Sequence, residues 1–125
     1  MMTLIGLFAC VLSLTGNSST SPSLRHYTTQ EGADGIREDS GLIQPSGDGI
    51  TYLTHDIFFS GQVAQDRLSL RRRPVGYFSI STHTLRGLQF RGPVKPDNGG
   101  GGGGSEYVVP GPVSIGGARF VPIGP

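Results

Sequence analysis

Tryptophan is absent, cysteine occurs once, and charged residues make up only 15% of the 125-residue chain. Each shortage removes a class of explanation. The single cysteine, Cys10, sits inside an N-terminal apolar run, so a chain beginning after it has no thiol for a disulfide or a thiolate metal site. The imidazoles are few as well: His26, His55 and His83 are the whole set, and no two stand at the i, i+4 spacing that places paired ligands on one helix face. There is no nucleophile elbow, no cofactor fingerprint and no paired-carboxylate pattern. A chain with this inventory is expected to be non-enzymatic, with no cofactor and no metal.

Glycine and proline are abundant instead, at 21 and 9 residues. That fraction approaches the composition of low-complexity chains, and an apolar fraction of 35% leaves little for a core. The expected fold class is therefore mostly disordered or low-complexity, with one small β-rich segment of about three short strands over residues 50–91 and no large core.

Along the chain, Leu4 to Leu14 is an apolar run followed by small and polar residues to Ser23. Its length suits a signal-peptide core and falls short of the roughly 20 residues that span a bilayer. Residues 1–19 are read as a signal peptide, no transmembrane segment is expected, and the product is expected to be secreted and extracellular. Residues 20–48 are polar and lack period, which reads as a flexible acidic segment.

Residues 49–95 form the β-rich cationic segment. "GITYLTHDIFF" alternates like a strand. "GQVAQDRLSLRRR" suits a short helix that Pro74 ends. Val75 to Ser81 and Leu85 to Arg91 look like the two arms of a hairpin, each weakened by a glycine. Residues 96–106 hold six consecutive glycines, Gly99 to Gly104, and read as a flexible linker, because no Lys-Ser/Thr signature follows to make a phosphate loop. Residues 107–125 form a Gly/Pro-rich apolar tail able to self-associate or add to a sheet edge.

Charge is unevenly spread. Arg25 to Phe59 carries six acids against Arg25 and Arg37, a formal −4. Gly61 to Lys95 carries seven bases against Asp66, a formal +6. Within the second zone Arg67, Arg71, Arg72, Arg73, Arg86 and Arg91 lie among Tyr77, Phe78 and Phe90. Cations interleaved with aromatics suit an anion-binding patch whose partner is an anionic membrane, a microbial surface or an extracellular polyanion, with no nucleic acid expected. Arg71 and Arg72 are also candidate processing sites, although Pro74 blocks attack after Arg73.

An acidic front, a cationic middle and a glycine/proline-rich end, in that order behind a leader, resemble in organisation the precursors of glycine-rich or proline-rich host-defence peptides. The resemblance implies a secreted, non-catalytic innate-immune effector of antimicrobial type. Two alternatives stand beside it: a structural component of matrix, cuticle, eggshell or seminal fluid, and the precursor of a secreted signalling peptide.

Overall fold

The computed structural model describes residues 22–125; the expected signal peptide, residues 1–19, lies outside the described residues. The chain builds β1 (Ser23–Thr28), α1 (Gln30–Glu38), β2 (Leu42–Ile43), β3 (Ile50–Leu53) and α2 (Gly61–Arg67). After these come β4 (Gly76–Ser81), a 3-10 turn (Thr82–Thr84), β5 (Gln89–Pro93), β6 (Ser105–Pro110), β7 (Val113–Ser114) and β8 (Phe120–Pro122). Three small antiparallel sheets result, with strand orders β1-β4-β8, β2-β7 and β3-β6-β5.

Local chemistry explains both helices. Thr29 caps α1 by accepting the Gly32 amide at 3.0 Å, and Ala33 and Ile36, one turn apart, form its buried stripe. Glu31 in the first turn and Arg37 in the last suit the helix dipole. Ser60 caps α2 in the same way through the Val63 amide. Between the sheets lie Leu24, Ala33, Ile36, Ile43, Leu53, Phe78, Ile80, Val109 and Val113. Phe78 is fully buried, and its ring centroid lies 5.2 Å from that of Phe120.

This architecture overturns the expectation of a mostly disordered chain without a core. The acidic stretch read as flexible contains β1, α1 and β2, and Leu24, Ala33, Ile36 and Ile43 from it enter the core. The expected hairpin also fails. β4 is the centre of its sheet, between β1 and β8, whereas β5 pairs with β6 in another. Alternation marked the first arm, found at Gly76–Ser81, whereas the second, expected at Leu85–Arg91, begins only at Gln89 and runs to Pro93, and nothing local in Thr82 to Thr84 dictates which neighbour each strand takes.

The glycine run is the largest departure. It packs against the C-terminal end of α2: the Gly102 amide donates to Asp66 O at 2.9 Å, Gly104 to Arg67 O at 3.0 Å, and Gly103 to Val94 O at 2.9 Å. Helix-end carbonyls are thereby satisfied by the passing glycine loop. Only glycine fits. A Cβ on Gly102, whose φ is +70°, would stand 2.4 Å from Val94 O, and one on Gly104 would stand 2.9 Å from the Leu68 side chain.

Two measurements follow. Hydrogen exchange should show the amides of Gly102, Gly103 and Gly104 protected like those of β6; exchange at free-chain rates would mean the run is a linker. Phe78→Ala should cost about 3–5 kcal/mol in denaturant unfolding, and a cost below about 1 kcal/mol would contradict a single core centred on this ring.

Candidate functional site

β1 and β3 touch at one bridge. Arg25 N donates to Thr54 O at 2.7 Å and Thr54 N returns to Arg25 O at 3.0 Å. One residue further, ladder pairing has given way to a side-chain bond, in which the His26 imidazole donates from Nδ1 to Tyr52 O at 3.3 Å. A cleft of about 1010 Å³ is lined from this point outward by residues of β1, β3, β5 and β6 and of the loops beside them. Its size is that of a small-molecule site.

Four titratable side chains meet here. The carbonyl of Tyr52 places the His26 proton on Nδ1 and leaves Nε2 as an acceptor. Desolvation pushes the His26 pKa below its ordinary value, outweighing the bond to Tyr52 O, so the ring is neutral at neutral pH. The Tyr52 hydroxyl donates to Asp48, whose carboxylate also accepts the Ile50 amide at 3.0 Å. The Tyr52 bond is the main reason that the Asp48 carboxyl lies below its usual range and the Tyr52 hydroxyl above its own. Glu106 lies opposite Gly92 and close enough to Tyr52 to raise its pKa further. It is partly buried, and among the described residues it makes no hydrogen bond or ion pair.

The cations are set by irregular backbone. The β5–β6 register shifts between Phe90 and Gly92, so Arg91 is the extra residue of a bulge, and its guanidinium lies 6.0 Å from the Tyr52 ring centroid. Opposite, Ser69 Oγ donates to Lys95 O at 2.7 Å, Asn98 Nδ2 donates to Ser69 O at 2.9 Å, and Gln65 reaches Arg71 O at 3.4 Å. These bonds hold the loops carrying Arg71 and Lys95 along the cleft. Arg25 completes the set: its Nη1 donates to His55 O at 3.0 Å, its guanidinium lies over Tyr77, and its buried Nε has no partner.

The six arginines expected to form one patch are dispersed. Arg71 and Arg91 line the cleft. Arg67 pairs loosely with Asp66 at 3.9 Å, and Arg72 with Glu31 at 3.3 Å, all of them exposed. Arg73 lays its stem beside Gly61, and Arg86 lines a second depression of about 680 Å³ near Ile115. The candidate processing sites Arg71 and Arg72 both lie at the surface. Sequence reasoning missed Arg25, His26, Asp48, Tyr52 and Glu106 as a group. Their signal was faint: a histidine one residue from an arginine on an apolar strand, and a tyrosine four residues after an aspartate.

A second cluster is a structural clasp. His55 shares a 3.0 Å bond with Tyr107 Oη and lies 3.4 Å from Asp56, whose other oxygen accepts the Ser105 amide at 2.7 Å. It ties the end of β3 to the start of β6. Among the described residues no group of three His, Cys, Asp or Glu is placed to hold a metal ion. Comparison with family models, curated proteins and solved structures gives no match.

His26 gives the fold a pH dependence. Because its folded pKa is lowered, the unfolded chain binds the proton more readily, and stability falls as pH drops below the ordinary value of about 6.5. The loss ends at the depressed folded value. Asp48, also lowered, acts in a separate window, around and below its ordinary 3.8. The unfolding temperature should therefore fall between pH 7.5 and 5, and His26→Gln should flatten that slope. An equal slope in the variant would show that His26 is not desolvated.

Proposed function

We propose that this chain binds a small organic anion in the cleft between β1 and the β3-β6-β5 sheet. The observation that carries the reading is that Arg71, Arg91 and Lys95 line one open cleft with His26 and Tyr52, while the Arg25 guanidinium turns to His55 O and the Tyr77 ring. Guanidinium groups suit phosphate, sulfate and carboxylate because their donors form a planar fork. Arg71, Arg91 and Lys95 stand beside the lining carboxylates Asp48, Asp97 and Glu106, of which Asp48 is already held by the Tyr52 hydroxyl, and a neutral His26 offers an acceptor to a hydroxyl of the ligand. The ligand class is thus an anion with a hydroxylated body. A cleft replaces the diffuse arginine patch, and the secreted effector role proposed for the chain becomes capture of a soluble molecule; secretion itself rests on the Leu4–Leu14 run.

A second reading is favoured by Glu106. A partly buried carboxylate with no partner, beside a tyrosine with a raised pKa and a neutral histidine, is the kind of group that serves as a general base. On that reading the cleft turns over the anion it binds. The chain would then be an enzyme, contrary to what its motifs suggest.

Pyrophosphate is a suitable probe, followed by backbone amide shifts. The expected result is perturbation at His26, Tyr52 and Arg91, with Arg71→Ala and Arg91→Ala each weakening binding about tenfold. Glu106→Gln should tighten binding by removing repulsion. Perturbation confined to Arg67, Arg72 and Arg73, or affinities unchanged in both arginine variants, would overturn the cleft reading. With an organic substrate in hand, loss of turnover in Glu106→Gln with binding retained would select the catalytic reading.

A further inference from the structure

Large apolar side chains stand exposed along one edge, away from the cleft. Phe59 is 82% exposed, Val63 45%, Val75 40% and Val121 37%. The backbone brings them together. Gly124 N donates to Phe59 O and Ile123 N donates to Val75 O, both at 2.9 Å, while Val121 lies opposite Tyr77 in the β4–β8 pair. Val63 follows Ser60 by one turn of α2, and Ser60 Oγ donates to Pro125 O at 2.7 Å. Isolated exposed apolar residues are ordinary, but four gathered on one edge are not.

Arginines flank the same edge. The stem of Arg73 lies beside Gly61, the first residue of α2, and Pro74 O approaches the same glycine. Arg72 is 72% exposed, and its ion pair with Glu31 is solvated and worth little. Neither the 1010 Å³ cleft nor the 680 Å³ depression is lined by Phe59, Val63, Val75 or Val121. The apolar groups are thus exposed outside both, with arginines beside them. Exposed apolar groups flanked by positive charge fit an anionic lipid surface, into which the apolar groups insert while the cations meet phosphates.

We infer that this edge docks on an anionic lipid surface, with Phe59 and Val75 entering the headgroup layer and Arg72 and Arg73 meeting lipid phosphates. Contact is peripheral, since among the described residues no helix is long and apolar enough to cross a membrane. Docking here is independent of anion binding in the cleft, and it leaves the cleft open to solvent.

The absence of tryptophan makes a clean test. In the full chain, Phe59→Trp supplies a single reporter, and Phe90→Trp, on β5 and 61% exposed, supplies the matched control on another surface. Vesicles of phosphatidylcholine with about one-third phosphatidylglycerol should shift the Phe59→Trp emission to the blue and leave Phe90→Trp unchanged. Adding Arg72→Ala and Arg73→Ala should weaken vesicle binding about 25-fold, and pyrophosphate binding should stay as it was. An unshifted Phe59→Trp at saturating vesicles would overturn the proposal. So would equal shifts at both positions, or an equal shift on neutral phosphatidylcholine. A blue shift that grows with protein concentration before any lipid is added would overturn it in favour of an interface between copies of the chain.

Discussion

The fold depends on one close approach, that of the glycine run to the last turn of α2. An irregular glycine backbone comes near enough to donate to the helix carbonyls of Asp66 and Arg67 because no side chain intervenes at Gly102 and Gly104. From there the chain enters β6 with Ser105 fixed to Thr54, His55 and Asp56. That registration sets β6 between β3 and β5, which in turn puts Glu106 and Arg91 on the side of Tyr52. The wall that presents Arg71 and Lys95 is held by Ser69 and Asn98, whose own positions follow from the same contact. A segment whose composition signals disorder is thus the joint on which the candidate site turns.

The cleft owes its character to incomplete sheet formation. If β1 and β3 paired along their whole length, Tyr27 and Tyr52 would exchange the next ladder hydrogen bonds after Arg25 and Thr54, and no cavity would open between the strands. One bridge at Arg25 and Thr54 holds the sheets together, and the divergence beyond it leaves a desolvated imidazole, a tyrosine–aspartate pair and a carboxylate facing one space. Polar groups brought this close are costly to leave unpaired. The Nε of Arg25 is the one buried side-chain polar atom among the described residues left without a hydrogen-bond partner.

Parts of this were legible in the sequence. Alternation identified β3 and β4, and a helix was visible before Arg67, but it stops there rather than at Pro74, and Val63, expected to face inward, is exposed while Ala64 is buried. What could not be read was long-range. Gly76 looked like a weakness in its strand, whereas its missing side chain is the space that the Phe120 ring occupies. Counting glycines treats each as lost order, and here several are places of close packing instead. The arginines misled for a related reason: adjacency in sequence is not adjacency in the fold, and Arg71 lines the cleft whereas Arg72 and Arg73 lie outside it. Arg25 and Arg91, 66 positions apart, share a cleft that no local pattern announces.

The most direct test of the account is the unfolding free energy of Gly102→Ala. A flexible linker predicts no change, or a gain of about 0.4–1 kcal/mol from a stiffer unfolded chain. A docked run predicts the opposite sign, a loss of about 1–3 kcal/mol, because the new methyl group meets Val94 O and the backbone stays at positive φ. Destabilisation would support the glycine run as the joint of the fold; unchanged or raised stability would contradict it, and with it the registration on which the cleft depends.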